Sequence, residues 1–199
     1  VSLTTRELAR MIVAAGIDVQ QLPEEEFDQP LGTGTGAAVI FGATGGVMEA
    51  ALRSAYYLVT GENPPAEAFT SVRGGADWRE ADFDVNGITV KTAVASGLGN
   101  ARKLIEAVRS GKAQYDFVEI MACPGGCING GGQPQQPSTV RNWMNLAEER
   151  AKALYRSDQE SFIRKSHKNP AVKELYKTYL GEPGSEKAHH LLHTHYIKR

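Results

Sequence analysis

Cys123 and Cys127 are the only two cysteines in the 199-residue chain, and Pro124, Gly125 and Gly126 lie between them. Two glycines in so short a stretch let the backbone fold tightly enough to aim both sulfurs into one pocket, with amide groups close to them. Thiolates held this way suit soft metals, iron–sulfur clusters above all, and amide hydrogen bonds to sulfur then tune the potential. A zinc site asks for four ligands, usually at shorter Cys spacing, and no further cysteine remains to complete one. On spacing alone, a buried thiol pair and a redox disulfide stand open beside metal binding. The neighbouring residues weigh toward a ligand. Five of the eight residues from 125 to 132 are glycine, which costs backbone entropy unless something needs that backbone close.

The elements that must position this loop can be read from the apolar spacing. Residues 115–121 form an apolar run that predicts a buried strand leading straight into the cysteines, and loops after strand ends are where open α/β sheets place ligands. Upstream, Thr4 and Thr5 offer a cap for a helix carrying Leu8, Met11, Ile12 and Val13, stopped by Gly16. Residues 21–36 read as a connection, with Glu24 to Glu26 as a solvated face. The run 37–41 predicts a strand, then a glycine turn at 42–46, then a helix with Met48, Leu52, Ala55 and Tyr56 on one side. Residues 61–80 read as loop. Asn86-Gly87 predicts a hairpin between 83–85 and 88–94, followed by a helix over 98–108 that stops at Gly111. The expected fold is α/β, a mixed sheet with flanking helices. From Arg141 glycine nearly disappears and helix formers dominate, so residues 139–199 are expected to form a helical C-terminal module after a first unit of 1–138. Its helices are predicted near 140–155, 170–180 and 185–192.

Composition excludes several classes. With 22 Lys and Arg against 23 Asp and Glu the net charge is −1, so the basic footprint of a nucleic-acid binder is missing. No apolar run nears the ~18–20 residues of a membrane span, and the first residues lack the pattern of an export signal, which points to the cytoplasm. The glycine turn at 42–46 fits neither G-x-G-x-x-G nor a Walker loop, and a tight turn for close packing is the plainer reading than an anion site. All five histidines lie between 167 and 195. His189 and His193 are one helical turn apart, but Leu191, Leu192 and Tyr196 interleave with the histidines, which favours a packed helix over a metal site.

The stretch 119–127, with Gly130, Gly131, Gly132, Gln133 and Pro134, closely resembles the third signature of iron-only (FeFe) hydrogenases. The resemblance extends through 39–53, 97–104 and 115–121, and most of 1–135 looks like the C-terminal half of the hydrogenase catalytic domain. Arg164 to His167, Asn169-Pro170, Leu175-Tyr176 and the stretch 189–196 resemble the small-subunit module of these enzymes. The resemblance implies an H-cluster, a four-iron four-sulfur cubane joined to a two-iron centre carrying CO, cyanide and a bridging dithiolate. Cys123 would then ligate the cubane and Cys127 would bridge cubane and two-iron centre. Phe41, Gly42, Met121, Pro124 and Gly126 match positions around the cofactor, where a ring and a thioether exclude water and limit gas access.

The departure is equally plain. The chain has no counterpart of the first signature, TSCCPxW, or the second, MPCxxK, which in the family supply the other two ligands, a proton-donating cysteine and a cyanide-contacting lysine. No complete catalytic set is present, so the expectation is one part of a hydrogenase converting protons and electrons reversibly to H2, inactive alone. Its partners would be the segment or chain carrying the first half and a ferredoxin-like or flavoprotein electron donor. A related chain exported with such a partner would work in the periplasm. The alternative is a non-catalytic cluster-binding, sensor or interaction module built on the same fold.

Overall fold

The computed structural model describes residues 2–26, 28, 32–74, 77–195 and 197. Tyr196 and residues 27 and 29–31 of the first connection lie outside them.

Three strands form one mixed sheet in the order β1 (Trp78–Val85), β2 (Ile88–Ser96), β3 (Phe117–Met121). The β1–β2 hairpin turns at Asn86-Gly87, where Asn86 has φ 56° and Gly87 φ 81°, the left-handed pair that a two-residue hairpin loop requires. β3 runs parallel to β2, with Ser96 opposite Met121. Both sheet faces are covered, and residues 92–96 of β2 are accordingly buried without alternation. On one face lies α3 (Gly46–Thr60), whose Met48 and Leu52 pack with Phe69, Val72, Phe83 and Val94. On the other lies α4 (Leu98–Arg109), whose Ala101 and Leu104 pack on Ala93 and Ala95. The mixed sheet with flanking helices matches expectation.

Residues 37–41 are not a strand. Thr35 caps a helical turn, its side chain accepting from the Ala38 amide, and α2 (Gly36–Val39) passes into a 3-10 turn at Ile40–Gly42. An apolar run of five is too short for periodicity to separate strand from helix, and the burial of Ala37 and Ile40, three apart, is the helical spacing. The segment is held from outside the sheet, its Gly36 and Ala37 amides donating to the Ile163 and Arg164 carbonyls. β3 is shorter than the run suggests and is not buried. Only Glu119 is enclosed, while Phe117 and Ile120 are exposed, because β3 is the sheet edge among the described residues.

α1 (Thr5–Ala14) carries a full capping box between Thr4 and Glu7 but buries no residue. The helix expected near 140–155 is two helices, α5 (Ser138–Arg141) and α6 (Leu146–Glu160), because Asn145 starts α6 afresh by accepting from the Glu148 amide. α7 (Pro170–Leu175), opened by Asn169 and proline at its first turn, continues as a π-helical turn Tyr176–Leu180 that Gly181 ends. α8 (Glu186–Leu192) is capped by Ser185.

α6 is keyed to α3 by buried charge. Asp158, fully buried, accepts from Arg53 Nη1 and Nη2 at 2.8 Å each and from Arg164 Nη2 at 2.7 Å. Arg53 also pairs with Glu49, which in turn holds Arg73. Burial raises the Asp158 carboxyl pKa, but its arginine partners outweigh that and leave it below the usual aspartate value. Gly36 is required beneath it, since a Cβ there would stand 2.3 Å from Asp158 Oδ1.

Candidate cluster-binding site

The end of β3 delivers the two cysteines. From Met121, whose carbonyl accepts the Gly97 amide at 2.8 Å, the chain turns through Cys123, Pro124, Gly125 and Gly126 into a 3-10 turn at Cys127–Asn129. Gly125 and Gly126 have φ of 84° and 102°, conformations that a side chain would strain. Gly126 must also be a glycine for space, because a Cβ would stand 2.5 Å from the Gly42 carbonyl oxygen and 2.8 Å from the Thr44 nitrogen. The Gly126 amide donates to the Cys123 carbonyl at 2.9 Å and the Gly130 amide to the Cys127 carbonyl at 3.1 Å. With its backbone tied inward and Gly125 and Gly126 buried, the loop leaves both cysteines exposed as free thiols.

The predicted site residues are brought together only in part. Gly42 and Gly126 meet directly, and the Thr44 amide donates to the Gly125 carbonyl. Phe41, exposed, and Met121, half-buried, flank that junction in sequence, and Pro124 is exposed on the loop. The histidines lie elsewhere. His189 stacks on His193 at 4.4 Å between ring centroids, and His195 is tilted against His189. Among the described residues no group of three or more His, Cys, Asp or Glu comes together to hold a metal. The cysteine loop therefore presents two exposed soft donors, with no third ligand beside them among the described residues.

Three residues that hold the loop were not singled out from the sequence. Glu119 sits under the glycine turn, accepting the Gly45 and Met48 amides at 2.7 Å each. This carboxylate occupies the N-terminus of α3, which disposes of the phosphate-loop alternative. Burial pushes the Glu119 carboxyl above its usual range, and the two amide bonds only partly offset this. Ser96 Oγ accepts the Gly125 amide at 2.9 Å. Arg150 of α6 donates to the carbonyls of Ile128 and Pro134. A lone Glu inside an apolar strand is the one signal of the three visible in sequence, since a carboxylate is rarely buried unpartnered.

The family model for the iron-only hydrogenase large subunit, C-terminal domain, matches residues 1–131, and that for the iron hydrogenase small subunit matches 144–199. The chain belongs to the iron-only hydrogenase family. It is 49% identical over 197 residues to the NADP-reducing hydrogenase subunit HndD of Solidesulfovibrio fructosivorans, covering 99% of this chain and 33% of that protein. It is also 30% identical to cytosolic iron-sulfur assembly component 3 of Rattus norvegicus, over 98% of this chain and 40% of that one. A solved apo form of the FeFe-hydrogenase HydA1 from Chlamydomonas reinhardtii superposes with a TM-score of 0.75 at 44% identity, covering 98% of this chain and 54% of HydA1. The chain spans about a third to a half of these relatives. The iron-only hydrogenase fold is thus present in its C-terminal part, in a family whose members include both hydrogenases and an iron–sulfur assembly component. No described helix is long and apolar enough to cross a membrane.

Proposed function

We propose that this chain is the cluster-holding C-terminal part of an FeFe hydrogenase, supplying Cys123 and Cys127 as two of the thiolate ligands of an H-cluster. The observation that carries the reading is the loop itself, which ties its backbone inward through Gly125 and Gly126 and presents two free thiols outward. Two exposed soft donors on a glycine-rich loop fit half of an iron–sulfur ligand set. When bound, the group supplies the electron store and the iron centre at which H2 is made or split. The chain's own residues hold and shield it. Cys123 and Cys127 would both hold it as thiolate ligands, while Phe41 and Met121 would keep water from it. Gly42, Pro124 and Gly126 would let the backbone approach.

Residues 1–138 and 139–199 act in this reading as two modules, the second bracing the loop through Arg150. The remaining ligands come from the preceding half of the domain, on the same or another chain. α1 supports such a partner, since Leu8, Met11 and Val13 are all exposed and the helix buries nothing of its own. A ferredoxin-like or flavoprotein donor would deliver electrons, in the cytoplasm or, for an exported pair, the periplasm.

Similarity to the assembly component favours a second reading, in which the same loop holds a cluster without H2 turnover. Co-expression with a segment carrying TSCCPxW and MPCxxK, together with the maturation machinery, separates the two. The hydrogenase reading expects H2 evolution from a reduced donor and CO and cyanide infrared bands. Iron bound with neither bands nor turnover would establish the second reading instead.

A further inference from the structure

Beside the cysteine loop, with neither cysteine in its lining, lies a cleft of about 660 Å3, within the range of small-molecule sites. Its walls are the Ala43-Thr44 turn, the loop residues Gly125 and Asn129, the arginines Arg73 and Arg79, and α6 through Lys152 and Tyr155. Two hydroxyls on these walls have no partner. Thr44 is 2% exposed, and its Oγ1 makes no hydrogen bond; the Tyr155 hydroxyl oxygen is equally buried and equally unpaired. A desolvated hydroxyl without a partner is costly, so two on one cleft point to a polar occupant.

The charges on the walls decide its sign. Arg73 lies over the Tyr155 ring at 4.2 Å but is held by Glu49 and Glu67, and Lys152 is paired with Glu149 and with Glu148, the one acidic residue of the wall. Arg79 differs. It donates one Nη1 hydrogen to the Arg73 carbonyl, and no described carboxylate forms an ion pair with it. The free part of a planar guanidinium fork on the same cleft as two hydroxyls suits a carboxylate, which accepts from both kinds of donor.

We propose that this cleft binds a small carboxylate, held by Arg79 with Thr44 and Tyr155 as hydroxyl partners. The ligand rests against Gly125 and Asn129, which makes the cleft a site from which a soluble organic acid bears on the cysteine loop. The inference does not depend on the cluster reading, because it uses neither thiol.

The test is saturation-transfer NMR of acetate and succinate on the iron-free chain, with sodium chloride at matched ionic strength as control. Saturable binding in the millimolar range or tighter is expected, weakened at least tenfold in Arg79→Gln and several-fold in Thr44→Val. Lys103→Gln, on α4 and outside the cleft lining, should leave it unchanged. Cys123→Ser/Cys127→Ser should also bind normally, which keeps this outcome separate from the fate of the cluster. If Arg79→Gln fails to fold, Thr44→Val carries the test. Binding no stronger than that of chloride, or binding indifferent to both variants, overturns the proposal.

Discussion

The cysteine loop and the Asp158 ion cluster meet opposite ends of the 36–44 segment, and they are built on contrary terms. At Asp158 every charge finds its counter-charge inside the chain, with Arg53 and Arg164 on the carboxylate and Glu49 on Arg53. At the loop, backbone groups are satisfied inside the chain while both thiols face outward, and no third ligand joins them among the described residues. The completed cluster joins α6 to α3. The loop leaves its two thiols exposed and without a ligand group around them among the described residues.

If the loop serves a ligand and the ion cluster serves the fold, their mutations should separate completely. Cys123→Ser and Cys127→Ser should each abolish iron retention in the assembled protein while leaving thermal unfolding of the iron-free chain unchanged, measured by iron analysis and by circular dichroism. Asp158→Ala should do the reverse. Removing one partner of a buried ion cluster costs about 3–5 kcal/mol, a fall in Tm of roughly 6–20 °C at this chain length. A cysteine variant that unfolds early, or an Asp158 variant of wild-type Tm, would erase the contrast.

Glu119 holds the glycine turn at the start of α3, and its loss should touch both regions. Glu119→Ala leaves the Gly45 and Met48 amides at the start of α3 without acceptors, at a cost of roughly 1–3 kcal/mol, and loosens the turn against which Gly126 packs. Both stability and iron retention should fall, the first by less than in Asp158→Ala.

The two buried carboxylates also have opposite pH signatures. Asp158 has a depressed folded pKa, so its contribution is present above the ordinary value of 3.8 and is lost as pH falls through the lower folded value. Asp158→Asn should therefore shed part of the acid sensitivity of unfolding below about pH 4. Glu119 has a raised folded pKa, so the folded state binds its proton more tightly than the unfolded chain does. Its effect is a loss of stability as pH rises above 4.5 through that raised value, and Glu119→Gln should flatten this limb. Denaturant titrations at stepped pH read both slopes. The smallest effect belongs to Lys152→Ala, whose exposed pairs with Glu148 and Glu149 should leave Tm unchanged.

The parts of this architecture written in local chemistry were legible. The Asn86-Gly87 hairpin, the Thr4 cap, the stop at Gly111 and the proline start of α7 each depend on a few adjacent residues. The loop stood out because five glycines beside two cysteines have no ordinary structural use. The strand expected at 37–41 failed because its conformation is set from afar, by carbonyls of Ile163 and Arg164 more than 120 residues away. Arg150 and Ser96 were invisible for the same reason, being ordinary residues until the fold brings them to the loop. The exposed edge at β3 could not be foreseen from its apolar run, since what would cover Phe117 and Ile120 is not among the described residues.

The central claim is that Cys127 ligates the catalytic cofactor. The most direct measurement is the infrared spectrum in the CO and cyanide stretching region, with iron content, of this chain matured together with the segment carrying the other two ligand motifs, as wild type and as Cys127→Ser. Diatomic bands and bound iron are expected in the wild type and neither in the variant. A Cys127→Ser protein with normal iron and unshifted bands would contradict that claim.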